Sequence, residues 1–149
     1  MANTYTKIVC HFVFSTVGRS PMLTEEIRKD VFAYMGGIIR NQKCASLIVN
    51  GIEDHVHILA HVRPTLALSD FMREVKASSS DFVHRELRVR SFAWQEGFSA
   101  FSVRGDDFED VRQYIARQAE HHKRENFESE LRRLLVMAGV DYKEQYLLG

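Results

Sequence analysis

Apolar positions along this chain change period in a regular order: two, then near four, then two again. "YTKIVCHFVFST" (5–16) alternates, with Ile8, Cys10, Phe12 and Phe14 on one face, and predicts a β-strand. "GRSP" (18–21) breaks it. Thr24 reads as an N-cap with Glu25 and Glu26 in the first turn, where the helix dipole favours carboxylates. Ile27, Val31, Tyr34, Ile38 and Ile39 then predict a helix over 25–43. "ASLIVNGI" (45–52) is a second strand, and Asn50-Gly51 is turn chemistry suited to a hairpin with the next strand, which Pro64 closes. Ser69 is placed as the cap of a helix reaching about 88, with Phe71, Met72, Val75, Phe82 and Val83 available to pack. "FSAFSV" (98–103) is the last strand. Gly105-Asp106-Asp107 is a loop and cap; Phe108, Val111 and Ile115 begin a helix running to about 123, and a final helix covers 126–138 up to Gly139.

The order β-α-β-β-α-β followed by helices predicts an α+β protein with a ferredoxin-like antiparallel sheet and both crossover helices on one face. The opposite face is left open in this reading. The expected organisation is a single domain over 1–149, with a core at about 5–123 and a helical C-terminal extension at about 124–149. This arrangement hosts many functions, so the site has to decide.

Composition narrows the classes. Lys+Arg and Asp+Glu both number 20, so the net charge is zero with histidine neutral, whereas a protein that coats duplex DNA indiscriminately is normally basic. Residues 1–52 carry six basic and three acidic side chains, and 105–149 carry seven and ten, so a polyanion has to be met locally. Two cysteines, Cys10 and Cys44, are too few for a disulfide framework or a cysteine zinc site. With no signal-peptide pattern and no long apolar run, the expectation is a cytoplasmic protein with no membrane partner.

The unusual chemistry lies in "EDHVHILAH" (53–61). Alternation puts His55, His57, Leu59 and His61 on one face of the strand and Val56, Ile58, Ala60 and Val62 on the other. The second set is a core face. The first places two imidazoles about 7 Å apart at the backbone on the same side, able to converge on one ion. A half-buried, hydrogen-bonded histidine pair is the ordinary alternative.

A second pattern lies in "VRQYIARQAEHHK" (111–123), where Tyr114 and Gln118 stand one helical turn apart on one side. An amphipathic helix with a tyrosine beside the Phe108/Val111/Ile115 stripe explains that equally well. Two imidazoles plus the amide oxygen of Gln118 would leave positions open for substrate, as catalytic metal sites do.

Together "YTKIVCHFVFST", "DHVHIL", the helix around Lys76-Ala77-Ser78-Ser79, "WQEGFSAFSV" and "VRQYIARQAEHH" resemble the single-tyrosine transposases of the IS200-like insertion sequences, members of the HUH superfamily. The resemblance runs in order from about 5 to 123. It implies a divalent ion, Mg²⁺ or Mn²⁺, held by His55, His57 and Gln118, and Tyr114 as nucleophile. It also implies single-stranded DNA as substrate, often beside a hairpin, and a 5′-phosphotyrosine intermediate in cleavage and rejoining. The family further implies a homodimer in which the tyrosine helix completes the partner's site.

Some residues fall outside the pattern. Arg73 and Lys76 are candidate phosphate contacts or an ordinary charged helix face, and His61, His121 and His122 either support the site, contact DNA or, as the first reading, are solvated. Asp54 either orients an imidazole or belongs to a turn, and "FESELRRLLVMAGVDYKEQYLL" reads as packing against the body or a second subunit. Rival readings are a metal-dependent phosphoesterase using water, a domesticated HUH nuclease, and a non-catalytic nucleic-acid-binding regulator on the same fold.

Overall fold

Alternating residues drive β1 (Val9–Ser15), β2 (Ala45–Gly51), β3 (His55–His61) and β4 (Ser99–Val103) into one sheet. This is seen in a computed structural model, which describes residues 3–149. The strand order is β2-β3-β1-β4 and every pairing is antiparallel. The crossover helices α1 (Glu25–Asn41) and α2 (Leu68–Arg85) pack on one face, and the expected ferredoxin-like arrangement is realised. Cys10, Phe12 and Phe14 of β1 and Val56, Ile58, Ala60 and Val62 meet Val31, Met35, Ile39, Phe71 and Val75 in the main core. Ile8 is exposed just ahead of β1. Among the described residues no helix is long and apolar enough to cross a membrane.

Several local expectations are corrected. Asn50 and Gly51 do not form the hairpin turn; they belong to β2 and pair with His57 and Val56. The Asn50 amide instead donates to the carbonyls of Ile115 (2.9 Å) and Ala116 (3.3 Å), tying the strand to the next layer. A Cβ on Gly51 would stand 2.1 Å from the His55 carbonyl oxygen, so close backbone approach, rather than a turn, requires glycine there. Ser69 lies inside the first turn of α2, where Ala67 is the N-cap, and α2 ends three residues early, before Arg88 at φ +60°. The helix expected to reach 123 divides into α3 (Phe108–Ala116) and α4 (Gln118–His121), because Arg117 leaves the helical region at φ −99°, ψ 22°.

The largest correction concerns the face expected to be open. It is covered by α3, α4 and the chain's own C-terminal helix α5 (Phe127–Met137), so a partner chain is not needed to cover it. Ile115 packs on Val9 and Leu59, and Phe127, Leu131, Leu135 and Leu147 pack against Val13. The Asn126 side chain caps α5 by accepting from the Ser129 amide at 2.9 Å, and Gly139 at φ +69° follows its end. Burying each of the three large α5 side chains contributes about 1.5–3 kcal/mol.

Candidate active site

Period two on β3 turns both His55 and His57 toward α3–α5, and neither side chain is exposed. Each imidazole is held at both nitrogens. His55 Nδ1 donates to Asp54 Oδ1 at 2.7 Å, and its Nε2 lies 3.1 Å from Gln118 Oε1 and 3.2 Å from Glu130 Oε1. His57 Nε2 donates to Glu130 Oε1 at 2.9 Å, which leaves its Nδ1 to accept from His11 Nε2 at 2.7 Å across the β1–β3 pairing. The second nitrogen of each imidazole thus fixes the ring that the first one presents.

Tyr114 on α3 lies over this pair, its ring centroid 6.0 Å from that of His57. Its hydroxyl donates to Glu130 Oε2 and accepts from the Arg133 guanidinium at 2.8 Å. Gln118 is fully buried one turn later, and its amide nitrogen donates to the same Glu130 oxygen at 3.2 Å. His122 Nε2 donates to Glu130 Oε1 at 3.1 Å, and His121 Nε2 lies 3.3 Å from the tyrosine oxygen. His122 is nearly buried and His121 partly exposed, so both fill the supporting place the sequence left open rather than a freely solvated one; the break at Arg117 precedes this turn. His61, at the end of the strand, has a buried Nε2 without a partner.

Glu130 is the hub of the cluster. An isolated buried carboxylate costs several kcal/mol, so it requires compensating charge and donors. Burial would raise its pKa, but hydrogen bonds from His122, His55 and His57 hold it well below the usual carboxylate range. Burial would likewise depress His55, yet its bonds to Asp54 and Glu130 lift it to about 9. His55 is therefore the imidazolium that balances Glu130. Burial dominates at His57, lowered to about 4, and at His11, lowered to about 3 with the His57 charge adding to the effect. Burial and the Glu130 charge raise the Tyr114 phenol above its ordinary value, against the opposing Arg133 cation.

The structure brings together His55, His57, Tyr114 and Gln118. It does not bring Arg73 or Lys76 to them. Arg73 is exposed and pairs with Asp70 at 2.8 Å. Lys76 lies on the α2 side of the sheet, 5.6 Å over the Phe14 ring, and donates to the carbonyls of Gln95 (2.8 Å), Glu96 (3.2 Å) and Gly97. Burial lowers its ammonium pKa to about 8. Sequence reasoning missed Glu130, Arg133 and His11. Glu130 left a signal: it interrupts the stripe Phe127, Leu131, Leu134, Leu135 at the i+3 position, where an unpartnered carboxylate has no place.

The residues fit a metal ion. Ligand atoms of His55, His57, His122 and Glu130 lie within 4.8 Å of one another, and all four side chains are of metal-binding type. Beside the cluster, a cavity of about 600 Å³ reaches Tyr114 and is lined by Gln113, Arg117, His121 and Arg124 among others. It gives a solvent-side approach to the tyrosine bordered by two arginines.

A histidine pair on a sheet thus faces a helix-borne tyrosine and glutamine. The description "Transposase IS200 like" matches residues 4–118, and the chain belongs to that family of DNA-processing enzymes. Among solved structures, the fold is similar to a Deinococcus radiodurans R1 protein whose name places it among the transposases. That match has 19% identity and TM-score 0.62, covering 79% of this chain and 95% of the other. It is also similar to a REP-associated tyrosine transposase bound to a REP hairpin, with 16% identity and TM-score 0.61, covering 82% and 73%. No curated protein sequence matches the chain. Glu130, His122 and Arg133 all lie beyond the segment that the family matches.

Proposed function

We propose that this protein cleaves and rejoins single-stranded DNA through Tyr114, with a covalent 5′-phosphotyrosine intermediate and a divalent ion held by His55, His57 and Gln118. The observation that carries this reading is the Tyr114 hydroxyl standing among Glu130, Arg133 and His121, with its ring edge-to-face against His57 at 6.0 Å between centroids. The hairpin-bound relative supports a DNA hairpin as the recognition element.

In the reaction the Tyr114 oxygen loses its proton to solvent and attacks phosphorus, and the bond from phosphorus to the 3′-oxygen breaks. That oxygen takes a proton from solvent and leaves as a free 3′-hydroxyl. Rejoining reverses the roles: a DNA 3′-hydroxyl attacks, and tyrosine departs and is reprotonated. Energy is conserved in the phosphotyrosine bond, so no nucleotide cofactor is needed. Arg133 stabilises the phenolate as it forms, because its guanidinium already touches the oxygen that becomes charged. A divalent ion, when bound, supplies Lewis-acid stabilisation of the phosphate and of the departing oxygen. Arg117 and Arg124 border the route by which a DNA strand reaches Tyr114. Arg73 is the freer of the two phosphate contacts read from the sequence, since Lys76 commits its N–H groups to three carbonyls.

Tyr114 and His57 of one chain both hydrogen-bond its Glu130, which supports a site complete within one chain. A homodimer exchanging tyrosine helices is the alternative arrangement. Two unpaired, buried cysteines agree with action in the reducing cytoplasm.

Incubation with hairpin-bearing single-stranded oligonucleotides and Mg²⁺ or Mn²⁺ tests the proposal. A denaturant-resistant protein–DNA adduct is expected from the parent and lost in His55→Ala and His57→Ala. Cleavage without any adduct would instead establish a water-using phosphoesterase.

A further inference from the structure

We propose that Glu130 and His122 are metal ligands, forming with His55 and His57 a four-donor centre for a divalent transition-metal ion. The inference rests on the metal-assisted reading above and deepens it: α5 and the end of α4 supply ligands that the shared family segment does not contain.

The spacing of the donors carries the argument. Glu130 Oε1 lies 3.2 Å from His55 Nε2, 2.9 Å from His57 Nε2 and 3.1 Å from His122 Nε2. Donors on an ion with bonds of about 2.1 Å stand about 3.0–3.4 Å apart, close to the three separations measured from the carboxylate oxygen. No Lys or Arg shares that carboxylate oxygen among the described residues; Arg133 reaches Tyr114, His121 and Glu125 instead. An ion would thus take up the compensating role that imidazole N–H groups fill in this structure.

The scaffold around these donors is already ordered. Asp54 and His11 hold the far nitrogens of His55 and His57, and the Gln118 amide holds Glu130 Oε2. Packing of Phe127 and Leu131 fixes the helix turn from which Glu130 projects, and the Phe127 ring stacks on His55 with centroids 4.3 Å apart. Gln118 Oε1, 3.1 Å from His55 Nε2, is placed as a further donor for ions that accept five or six ligands. The other carboxylate oxygen stays on the Tyr114 hydroxyl, so one side chain links the ion to the nucleophile.

The donor types select the ion. Mg²⁺ favours oxygen ligands in octahedral geometry and keeps much of its water, whereas imidazole suits transition ions. Three imidazoles and one carboxylate therefore favour a transition ion over Mg²⁺.

Calorimetric titration of the full chain with Mn²⁺ and, separately, Mg²⁺ tests this without any reliance on cleavage. The parent is expected to bind one Mn²⁺ per chain at least tenfold more tightly than Mg²⁺. Glu130→Gln and His122→Ala are each expected to weaken Mn²⁺ binding at least tenfold, with Glu130→Asp intermediate, in proteins whose circular dichroism matches the parent. Glu130→Gln and His122→Ala binding Mn²⁺ as tightly as the parent, while His57→Ala loses it, would overturn the enlarged ligand set and leave the metal-assisted reading standing. Parent-like binding by His55→Ala and His57→Ala would overturn that reading itself.

Discussion

The hydroxyl of Tyr114 donates to the carboxylate of Glu130, sixteen residues further along the chain. This contact joins a helix of the family segment to a helix outside it, and it sets the resting state of the phenol. Burial and that buried anion both disfavour phenolate, so the tyrosine rests protonated.

Tyr114→Phe keeps the ring and removes the one oxygen the chemistry requires. Adduct formation and cleavage are expected to vanish together, while stability changes by about 1 kcal/mol, the common range for a single substitution. Phenylalanine at Tyr5, Tyr34, Tyr142 or Tyr146 should leave the adduct intact. Peptide mapping of the trapped complex should place the nucleotide within "QYIAR". Cutting at the parental rate by Tyr114→Phe would show that another group attacks.

His11→Ala tests the hydrogen bond behind His57. Without His11 Nε2 at 2.7 Å, nothing fixes the His57 ring from that side. Loss of such a supporting bond typically lowers metal affinity or activity about 10–100-fold. Cleavage assayed at limiting Mn²⁺ should fall by this order and recover in part when the ion is raised. Unchanged activity at limiting ion would deny His11 a positioning role.

Acidity should affect the metal-free protein in both directions. His55 titrates near 9 when folded, above its model-peptide value of 6.5, so its stabilisation is complete below 6.5 and lost as pH rises through 9. His57 and His11, near 4 and 3, bind fewer protons folded than unfolded, so stability falls as pH drops from 6.5 toward those values. In chelator, Tm is expected to peak near pH 6.5 and decline on each side, followed by circular dichroism. A Tm that climbs steadily from pH 6.5 to 9 would contradict the His55–Glu130 ion pair.

Mixing chains decides how sites are assembled. His57→Ala and Tyr114→Phe subunits, unfolded together and refolded, should recover no cleavage if each site is built from one chain. Recovery toward about a quarter of the parental rate, as expected when half the dimers are mixed and each mixed dimer has one intact site of two, would establish exchange of tyrosine helices between two copies.

Much of this protein was legible before any tertiary structure. Period-two patterning in β1 and β3 and helical spacing in α1 and α2 specify local geometry directly, and the β-α-β-β-α-β order leaves few ways to stack them. His55 and His57 on one strand face, and Tyr114 one turn before Gln118, follow from the same two periods. What tertiary structure alone decided is what meets that face. The Asn50-Gly51 pair carried a turn signal, but the Asn50 amide found carbonyls of α3 and the His55 carbonyl crowded Gly51, so both joined the strand. His122 depends on a helix break at Arg117 that no periodicity announces. Glu130 was visible as a carboxylate in an apolar stripe, yet its partners lie 73 and 75 residues away on β3. A buried charge is tolerated only where the folded chain supplies matching donors, and that supply is a property of the assembled layers rather than of any segment.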